Sequence, residues 1–313
     1  MREALALTFL LALAVLYFST HPRGLSTYVL TIWANQSTIL ALAACAQFFA
    51  VVVRGLDLSV GAVMALSNCL ASHLVNGSEV QVAAALAIVL LAGMACGAIN
   101  GLIIVRGRVQ PIVATLATAA VFGGMALLLR PTPGGEISMS LSDAMTYDLF
   151  GFPTSLVLIA AILALVWVPL RRTGFGIALY AVGSNEQSAY HSGVDSGRVK
   201  LAAYTLSGLF ASAGGLFVGF VTLTGDAGIA PSYTLLSIAA VVLGGVLLRG
   251  GVGTILGAIA GAFTLRTISA LMFFSGIPPL AQPLIEGLVL AAAVGIGGAD
   301  VFRLRNKLEV FDR

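Results

Sequence analysis

Long apolar runs separated by short polar turns dominate this chain. Most runs approach the roughly 20 residues that a helix needs to cross the hydrocarbon core of a bilayer. The pattern predicts about ten transmembrane helices, with eight or nine as the nearest alternatives. The runs are 4–20, 28–53, 59–75, 80–105, 109–129, 150–170, 199–222, 233–248, 252–275 and 279–298.

The first and the eighth runs are the least certain spans by length. Run 4–20 is short and could be a signal peptide, but no small-x-small cleavage motif precedes Thr20-His21-Pro22. We therefore expect an anchor that stays in the protein. Run 233–248 would need residues from its flanks to cross a bilayer.

Composition places the chain in the membrane. Only 9% of the 313 residues are charged and 59% are hydrophobic, whereas soluble domains carry roughly 25% charged residues. The basic residues stand singly between apolar runs, so the net charge of +3 does not indicate a nucleic-acid partner. We predict an all-α polytopic integral membrane protein in which residues 1–313 form a single transmembrane domain.

The distribution of lysine and arginine predicts the orientation. With a cytoplasmic N-terminus and about ten spans, only Arg23 and Arg130 of the 16 basic residues lie outside, and Arg266 lies within a run. Basic residues accumulate in cytoplasmic loops, so both termini are predicted to be cytoplasmic. The loop Arg130–Leu149 would then be the largest external segment and a candidate docking surface.

The longest polar segment between two apolar runs is the loop 171–199. Within it, Ser184 stands three residues before Gln187, the spacing of a capping box. Gly193 stands where a left-handed residue would end a helix. This predicts a helix of about two turns, which is marginal alone because nucleation is costly. Either a partner holds it or it frays as a surface turn, and the pattern leaves both interpretations open.

Two further features concern glycine. One stripe of glycines at four-residue spacing comprises Gly93, Gly97 and Gly101, and another comprises Gly253, Gly257 and Gly261. Such stripes let a second helix lie close, so we predict tight packing there and a weak internal repeat.

The three cysteines lie inside apolar runs at no metal or disulfide spacing and are interpreted as small core residues: Cys45, Cys69 and Cys96.

Catalytic chemistry is not readable in the sequence. A P-loop needs Gly-Lys before Ser or Thr, and neither Lys200 nor Lys307 follows a glycine. The histidines are far apart, and no Cys, His and Asp group has the spacing of a metal site. We therefore expect neither an enzyme nor a bound metal or cofactor.

A glycine-aspartate turn joins the second and third runs. Asp57 lies at a membrane edge, where a carboxylate is costly unless its hydrogen bonds are satisfied. Asp57 or Ser59 can cap the next helix, and Gly55 and Gly61 permit a tight reversal. We expect Asp57 to fix this turn and not to bind substrate.

At this turn the sequence resembles a known family. The stretch VVVRGLDLSVGAVMALSN is similar to the signature of the permease subunits of monosaccharide ABC importers, the ribose-type family. The resemblance continues through GAINGLIIVRGRVQPIVATLAT, TGFGIALYAVGSNEQSAYHSGV and IAAVVLGGVLLRGGVGTILGAIAG, which cover most of the chain. It departs at Tyr190-His191, where members carry an arginine and an apolar residue. It departs again at Tyr233-Thr234-Leu235-Leu236, where members often have Tyr-Glu-Leu-Asp.

The resemblance implies an ABC importer permease fold in the bacterial inner membrane. It implies a separate ATPase subunit that binds ATP, an extracytoplasmic sugar-binding protein, and a second permease subunit in a homodimer or heterodimer. It also implies that the loop motif contacts the ATPase through Gly183, Ser184, Asn185, Glu186, Ala189, Ser192 and Gly193. The signature turn would comprise Gly55, Asp57, Ser59 and Gly61.

Three hypotheses about the function remain. An ABC importer subunit that forms the path for a monosaccharide fits best, with a permease for another small polar solute (a polyol, a furanose or an autoinducer-like sugar) as its alternative. An ion-coupled secondary transporter is less favoured because Glu286 is the clear carboxylate within the runs. A membrane enzyme or assembly factor lacks a reactive constellation.

Polar residues within the runs are candidates for the path. A neutral sugar needs hydrogen-bonding side chains and an aromatic wall, although such side chains also hold helices together. We also expect Arg266 and Glu286 to pair or share a polar cavity, against the rival that Arg266 snorkels or lines the path. The path candidates are Asn35, Gln36, Gln47, Asn68, Asn100, Thr115, Thr118 and Phe122.

Overall fold

The fold is a bundle of helices with one small hairpin. The computed structural model describes residues 2–229 and 232–278, together with 281–282, 284–285, 287–288 and 291. Along these residues the elements are α1 (Arg2–Thr20), α2 (Thr27–Val52), α3 (Val60–Leu74), α4 (Glu79–Val105), α5 (Pro111–Leu129), α6 (Met139–Thr146), β1 (Asp148–Leu149), β2 (Phe152–Pro153), α7 (Thr154–Ala161), a π-helical segment (Ile162–Trp167), α8 (Val168–Leu170), α9 (Gly174–Ser184), α10 (Glu186–His191), α11 (Ser196–Thr222), α12 (Tyr233–Leu243) and α13 (Ile255–Phe274).

The predicted spans agree with the observed helices in position but not fully in length. Each of the first nine apolar runs contains a helix. Among the described residues, six helices are long and apolar enough to cross a membrane, or up to seven if the pair Thr154–Leu170 and Gly174–Ser184 counts as one bent span. The helices α3 and α12 are shorter. Most of the run 279–298 lies outside the described residues, so the count of about ten spans stays a prediction.

The interior of the bundle is formed by α2, α11 and α13. In α2, 72% of the most apolar stretch is buried, against 11% in α1. The prediction of an all-α protein holds apart from the antiparallel hairpin of β1 and β2. The cysteines Cys45, Cys69 and Cys96 are buried and free, as expected of small core residues.

The first glycine stripe brings α4 against α11. A Cβ on Gly97 would lie 2.1 Å from the carbonyl oxygen of Tyr204, and one on Gly93 would lie 2.2 Å from Cβ of Ser212. Gly208 of α11 is equally close, because its own Cβ would lie 2.1 Å from the Gly93 carbonyl oxygen. The tight packing predicted for this stripe is therefore confirmed.

The second stripe differs from its prediction at one residue. Gly257 and Gly261 lie in α13 against α12, and a Cβ on Gly261 would lie 2.0 Å from the carbonyl oxygen of Ala240. Gly253 instead precedes the helix, with φ +123°, because Thr254 is the residue that caps α13 by accepting from the Gly257 N–H. The helical part of the stripe is thus Gly257 and Gly261.

The two short helices begin beside each other inside the bundle. The Gly61 N–H of α3 donates to the Thr234 hydroxyl of α12 at 3.0 Å. The 11 residues of α12 rise about 16 Å, roughly half the thickness of a hydrocarbon core. Thr234 is one of the positions at which this chain departs from the family pattern. Its hydroxyl therefore links the starts of the two short helices α3 and α12.

The segment between α5 and α7 is folded against the bundle. Arg130 donates to the hydroxyl and the carbonyl of Ser72 at 2.9 and 3.1 Å, at the end of α3. Gly134 and Gly225 exchange two backbone hydrogen bonds. The candidate docking surface between Arg130 and Leu149 is consequently an ordered part of the structure.

Candidate functional site

The signature turn holds a buried carboxylate. The chain leaves α2 and reaches α3 through residues 53–59, and Asp57 is only 1% exposed. Its Oδ1 accepts from the N–H and the hydroxyl of Ser59 at 3.0 and 2.6 Å, and its Oδ2 accepts from the hydroxyl of Ser207 at 2.7 Å. The geometry agrees with the expectation that Asp57 fixes the turn. Ser59 occupies the N-cap position of α3, but its side chain makes no cap hydrogen bond because it serves Asp57.

The network around Asp57 extends into α4 and α5. Asn100 donates to the Ser59 hydroxyl at 2.8 Å, and Thr118 donates to Asn100 Oδ1 at 2.5 Å. Thr115 accepts from the Leu58 N–H at 3.0 Å. In the amide orientation that satisfies its hydrogen bonds, Gln47 donates to the Asp57 carbonyl at 2.9 Å. One polar cluster therefore ties four helices to the turn.

Gly55 and Gly61, the two glycines of the predicted signature turn, lie in different environments. A Cβ on Gly55 would lie 2.1 Å from the Tyr204 hydroxyl oxygen, so the Gly55 backbone lies directly against the end of the Tyr204 side chain. Gly61 presents its N–H to Thr234, as described above. Gly55 lies in the turn as predicted, but Gly61 belongs to the first turn of α3 and neither glycine has a positive φ, so the prediction of a reversal made by Gly61 was wrong.

The path candidates occupy different environments. Gln47, Asn100, Thr115 and Thr118 are buried in the Asp57 cluster, with hydrogen bonds inside the bundle. Asn68 bonds the Thr224 carbonyl and the Asp226 N–H, and Phe122 is buried. Gln36 is exposed and Asn35 is half-buried on α2. A role of any of the eight in a translocation path stays a prediction.

The loop 171–199 contains two helices, α9 and α10, where the sequence predicted one short helix. Residues 154–170 and 174–184 meet at an angle of 81°, next to Pro169, which has no N–H to donate. Thr173 caps α9, and its hydroxyl accepts from the Gly176 N–H at 3.2 Å. The predicted short helix is then a separate element, α10, at the far side of a second break.

The capping prediction for this helix was wrong by one residue. Ser184 is the last residue of α9, and Asn185 caps α10 by accepting from the Ser188 N–H at 2.9 Å. Asparagine is as good an N-cap as serine, and Asn185 has the extended backbone that a cap needs. The predicted stop is confirmed, because Gly193 has φ +83° and donates to the Tyr190 carbonyl at 2.9 Å.

Two contacts fix α10 to the rest of the chain. Lys200 of α11 lies 2.6 and 2.7 Å from the two carboxylate oxygens of Glu186. Ala189 is 5% exposed and packs inside the protein, so its side chain is not on the outer face of α10. The exposed face presents Gln187, Tyr190 and His191 instead.

A third contact joins the end of α9 to the end of α2. The Arg54 side chain donates from Nε to the Gly183 carbonyl at 2.7 Å and from Nη2 to the Ser184 carbonyl at 2.6 Å. It also donates to the Arg249 carbonyl at 3.0 Å. We name this meeting of residues 52–55, 183–185 and 249–251 the Arg54 junction.

Sequence reasoning did not identify Arg54, Ser207 or Lys200 as site residues. Their partners lie 129, 150 and 14 residues away along the chain. In the sequence, Arg54 directly follows a membrane-length run and precedes a glycine. This pattern is also common at an ordinary helix end, so it does not indicate a site residue.

Arg266 lies beside the start of α12. Its guanidinium carbon is 5.1 Å from the ring centroid of Tyr233. Its Nε is buried and has no hydrogen-bond partner within the described part of the chain. Glu286 lies outside the described residues, so the predicted pairing of Arg266 with Glu286 stays a prediction.

The fold and the site define a class of protein. Six long apolar helices among the described residues, two shorter apolar helices that begin beside each other with a buried polar cluster at the start of one of them, and a short surface helix are features of a membrane permease. A family model described as a branched-chain amino acid transport system permease component matches residues 29–294.

Comparison with individual proteins narrows the class. The ribose import permease protein RbsC of Bacillus subtilis is 34% identical over 269 residues, which cover 83% of this chain and 81% of RbsC. RbsC of Escherichia coli K12 is 30% identical over 301 residues, covering 93% and 92%. The autoinducer 2 import system permease protein LsrC of Yersinia pseudotuberculosis serotype O:3 is 33% identical over 318 residues, covering 98% and 87%. No solved structure matches the chain.

The chain belongs to this family of transport-system permeases, among the ribose-type permease subunits of ABC importers. It is a multi-pass protein of the bacterial inner membrane. Its relatives are transport subunits and not enzymes, in agreement with the prediction from the sequence. A permease of this family works with an ATPase and a substrate-binding partner.

Proposed function

We propose that this chain forms the translocation path of an ABC importer for a monosaccharide. Its relatives include permeases named for ribose and for autoinducer 2, which supports a sugar or a similar small polar solute. The neutral, hydroxyl-rich side chains inside the bundle are suited to such a solute. A separate ATPase would bind ATP, and an extracytoplasmic protein would deliver the sugar.

The observation that carries the proposal is the short helix α10. Six residues cannot form a stable helix alone, yet α10 is capped at both ends and linked to α11 through Glu186 and Lys200. Its outer face has no partner in the described chain apart from this link. We propose that α10 is the coupling helix and that the ATPase covers this face.

The predicted coupling residues fall into three groups. Glu186, Ser192 and Gly193 belong to α10 or its end, and Asn185 caps it. Gly183 and Ser184 belong to the Arg54 junction and would act by fixing α10 to the bundle. Ala189 would support the helix from inside.

We propose that both termini are cytoplasmic and that about ten helices cross the membrane. The basic turns at Arg106, Arg108, Arg171, Arg172 and Arg249 support this orientation, since they alternate with the external loops. A second permease subunit would complete the path, because such importers carry two membrane subunits.

Asn35 is the path candidate with the clearest unused hydrogen-bonding capacity. Its Nδ2 donates to the Thr146 carbonyl at 2.7 Å, while its Oδ1 is buried without a partner in the described chain. The hydroxyls of Thr31 and Thr38, four residues before it and three after it on α2, are also without partners among the described residues. Residues at this spacing share one helix face, which supports a polar stripe facing the path.

Transport by the assembled complex tests the function. The permease would be reconstituted in proteoliposomes with the ATPase and the binding protein encoded beside it, and uptake of labelled D-ribose, other pentoses, hexoses and polyols would be compared. ATP-dependent uptake of one sugar is expected. Uptake driven by a proton or sodium gradient without ATP would instead favour a secondary transporter.

A further inference from the structure

Arg54 holds a backbone conformation that is unusual for its residue type. It follows the last turn of α2 with φ +64°. The Arg54 N–H donates to the Val51 carbonyl and the Gly55 N–H to the Ala50 carbonyl. These two bonds define a Schellman helix end, in which the left-handed position is usually glycine. A side chain there costs free energy, so a helix end alone does not account for an arginine.

The Arg54 side chain explains this position. Its guanidinium and Nε donate to three carbonyls, those of Gly183, Ser184 and Arg249. Two of these are at the C-terminus of α9, directly before the cap of α10. Because a helix C-terminus carries unpaired carbonyls and partial negative charge, a cation is well placed there.

The Arg54 junction is closely packed. A Cβ on Gly183 would lie 1.8 Å from the Val52 carbonyl oxygen, and a Cβ on Gly250 would lie 2.6 Å from Cγ of Arg54. The Gly251 N–H also donates to the Val52 carbonyl at 2.9 Å. Movement of the end of α9 would therefore displace the end of α2 rather than be absorbed by a loop.

The Asp57 turn between α2 and α3 follows directly after Arg54. Asp57 lies three residues after Arg54, and its carboxylate bonds Ser59 of the turn and Ser207 of α11. Through Ser59 the cluster reaches Asn100 of α4. A continuous chain of contacts thus runs from the start of α10 through Arg54 and the Asp57 turn to the short helix α3.

We propose that Arg54 is the positioning residue that transmits movement of the coupling helix to the short helix α3 through the Asp57 turn. The proposal rests on the proposed function of α10 as the ATPase contact. Arg54 does not touch the transported solute in this account. It keeps ATP hydrolysis and the opening of the bundle linked.

The variant Arg54→Gly gives the sharpest test. Glycine removes the side chain and relieves the left-handed backbone, so a role limited to ending α2 predicts normal or increased thermal stability and normal coupling. The measured quantity is the amount of labelled sugar imported per ATP hydrolysed by the complete transporter, with its ATPase and binding protein in proteoliposomes, for the one sugar among D-ribose, other pentoses, hexoses and polyols that the wild-type complex takes up. We expect Arg54→Gly to assemble and hydrolyse ATP but to lower this ratio at least tenfold.

Arg249→Ala is the matched control. Arg249 is exposed in the same junction, contributes only its carbonyl to Arg54, and loses the same charge on substitution. The ratio of sugar imported to ATP hydrolysed should be the same in Arg249→Ala as in the wild type. Arg54→Lys keeps the charge but loses the planar set of guanidinium donors, so its ratio should lie between those of the wild type and Arg54→Gly.

A wild-type ratio in assembled Arg54→Gly overturns the proposal. If that variant does not assemble, Arg54→Lys decides, and a wild-type ratio there overturns it too. A wild-type complex without ATP-dependent uptake refutes the proposed function and this proposal with it. The two failures are distinguishable, because the first appears only in the Arg54 variants and the second in the wild type.

Discussion

The Ser207 hydroxyl donates to Oδ2 of Asp57 at 2.7 Å, across 150 residues of sequence. The bond ties the middle of α11 to the turn between α2 and α3. Since Asp57 is 1% exposed, a carboxylate at this place is tolerated only because three donors satisfy it. The turn is thus held by side chains from distant parts of the chain.

Substitutions of Asp57 should separate hydrogen bonding from charge. Asparagine can still accept from Ser59 and can donate to Ser207, so Asp57→Asn should keep most of the transport. Asp57→Leu leaves buried donors without acceptors, at about 1–3 kcal/mol for each, and should strongly reduce the amount of folded protein. Thermal unfolding and uptake by the purified complex check both results. An altered sugar affinity of Asp57→Asn at normal expression would show a role in binding instead.

Gly97 should be the most sensitive position of the α4–α11 contact. A Cβ there would lie 2.1 Å from a backbone oxygen that cannot rotate away, so Gly97→Ala should destabilise the protein by about 1–3 kcal/mol through overpacking.

Gly123→Ala is the matched control for Gly97→Ala, because a Cβ on Gly123 meets nothing within 4 Å. This change in α5 should leave stability unchanged or raise it by about 0.5–1 kcal/mol through helix propensity. Equal unfolding temperatures of the two variants in detergent would contradict the close packing.

The span positions could be read from the sequence because hydropathy over about 20 residues is a local property. The start of α10 was misplaced by one residue, since Ser184 and Asn185 are both good caps and only the end of α9 distinguishes them. The Arg54 junction could not be predicted, because it depends on which helix ends meet. Apart from Phe122, the path candidates were chosen by polarity, which does not distinguish a side chain facing solute from one bonded inside the bundle, as Asn100 is.

Arg266 and Glu286 give a prediction about charge inside the membrane. Arg266 has a buried Nε without a partner among the described residues and stacks on Tyr233. Arg266 lies in the middle of α13, and an unpaired charge at the centre of a membrane helix costs about 2.5–3.5 kcal/mol. We therefore expect the carboxylate of Glu286 to offset the charge of Arg266. Arg266→Leu and Glu286→Leu should be clearly non-additive in a double-mutant cycle of thermal stability. Additive effects would favour Arg266 as a residue that snorkels or lines the path.

Asn35 should affect sugar transport more than folding. Its Oδ1 has no hydrogen-bond partner among the described residues and lies on the same face of α2 as the hydroxyls of Thr31 and Thr38. Loss of one hydrogen bond to a sugar hydroxyl costs about 0.5–1.5 kcal/mol, so Asn35→Leu should raise the half-saturating sugar concentration of uptake several-fold. The unfolding temperature serves as the control, and an unchanged half-saturating concentration would remove Asn35 from the path.

In the proposed function, α10 lies on the cytoplasmic side of the membrane and contacts the ATPase. Gln187 is the position to probe, because it is exposed on α10 and, unlike Glu186, has no ion pair to disturb. A cysteine replacing Gln187, in a variant with Cys45, Cys69 and Cys96 changed to alanine, should cross-link to the ATPase subunit in isolated membranes. It should resist a membrane-impermeant thiol reagent added to intact cells. Labelling from outside, without a cross-link to the ATPase, would contradict both the orientation and the role of the helix.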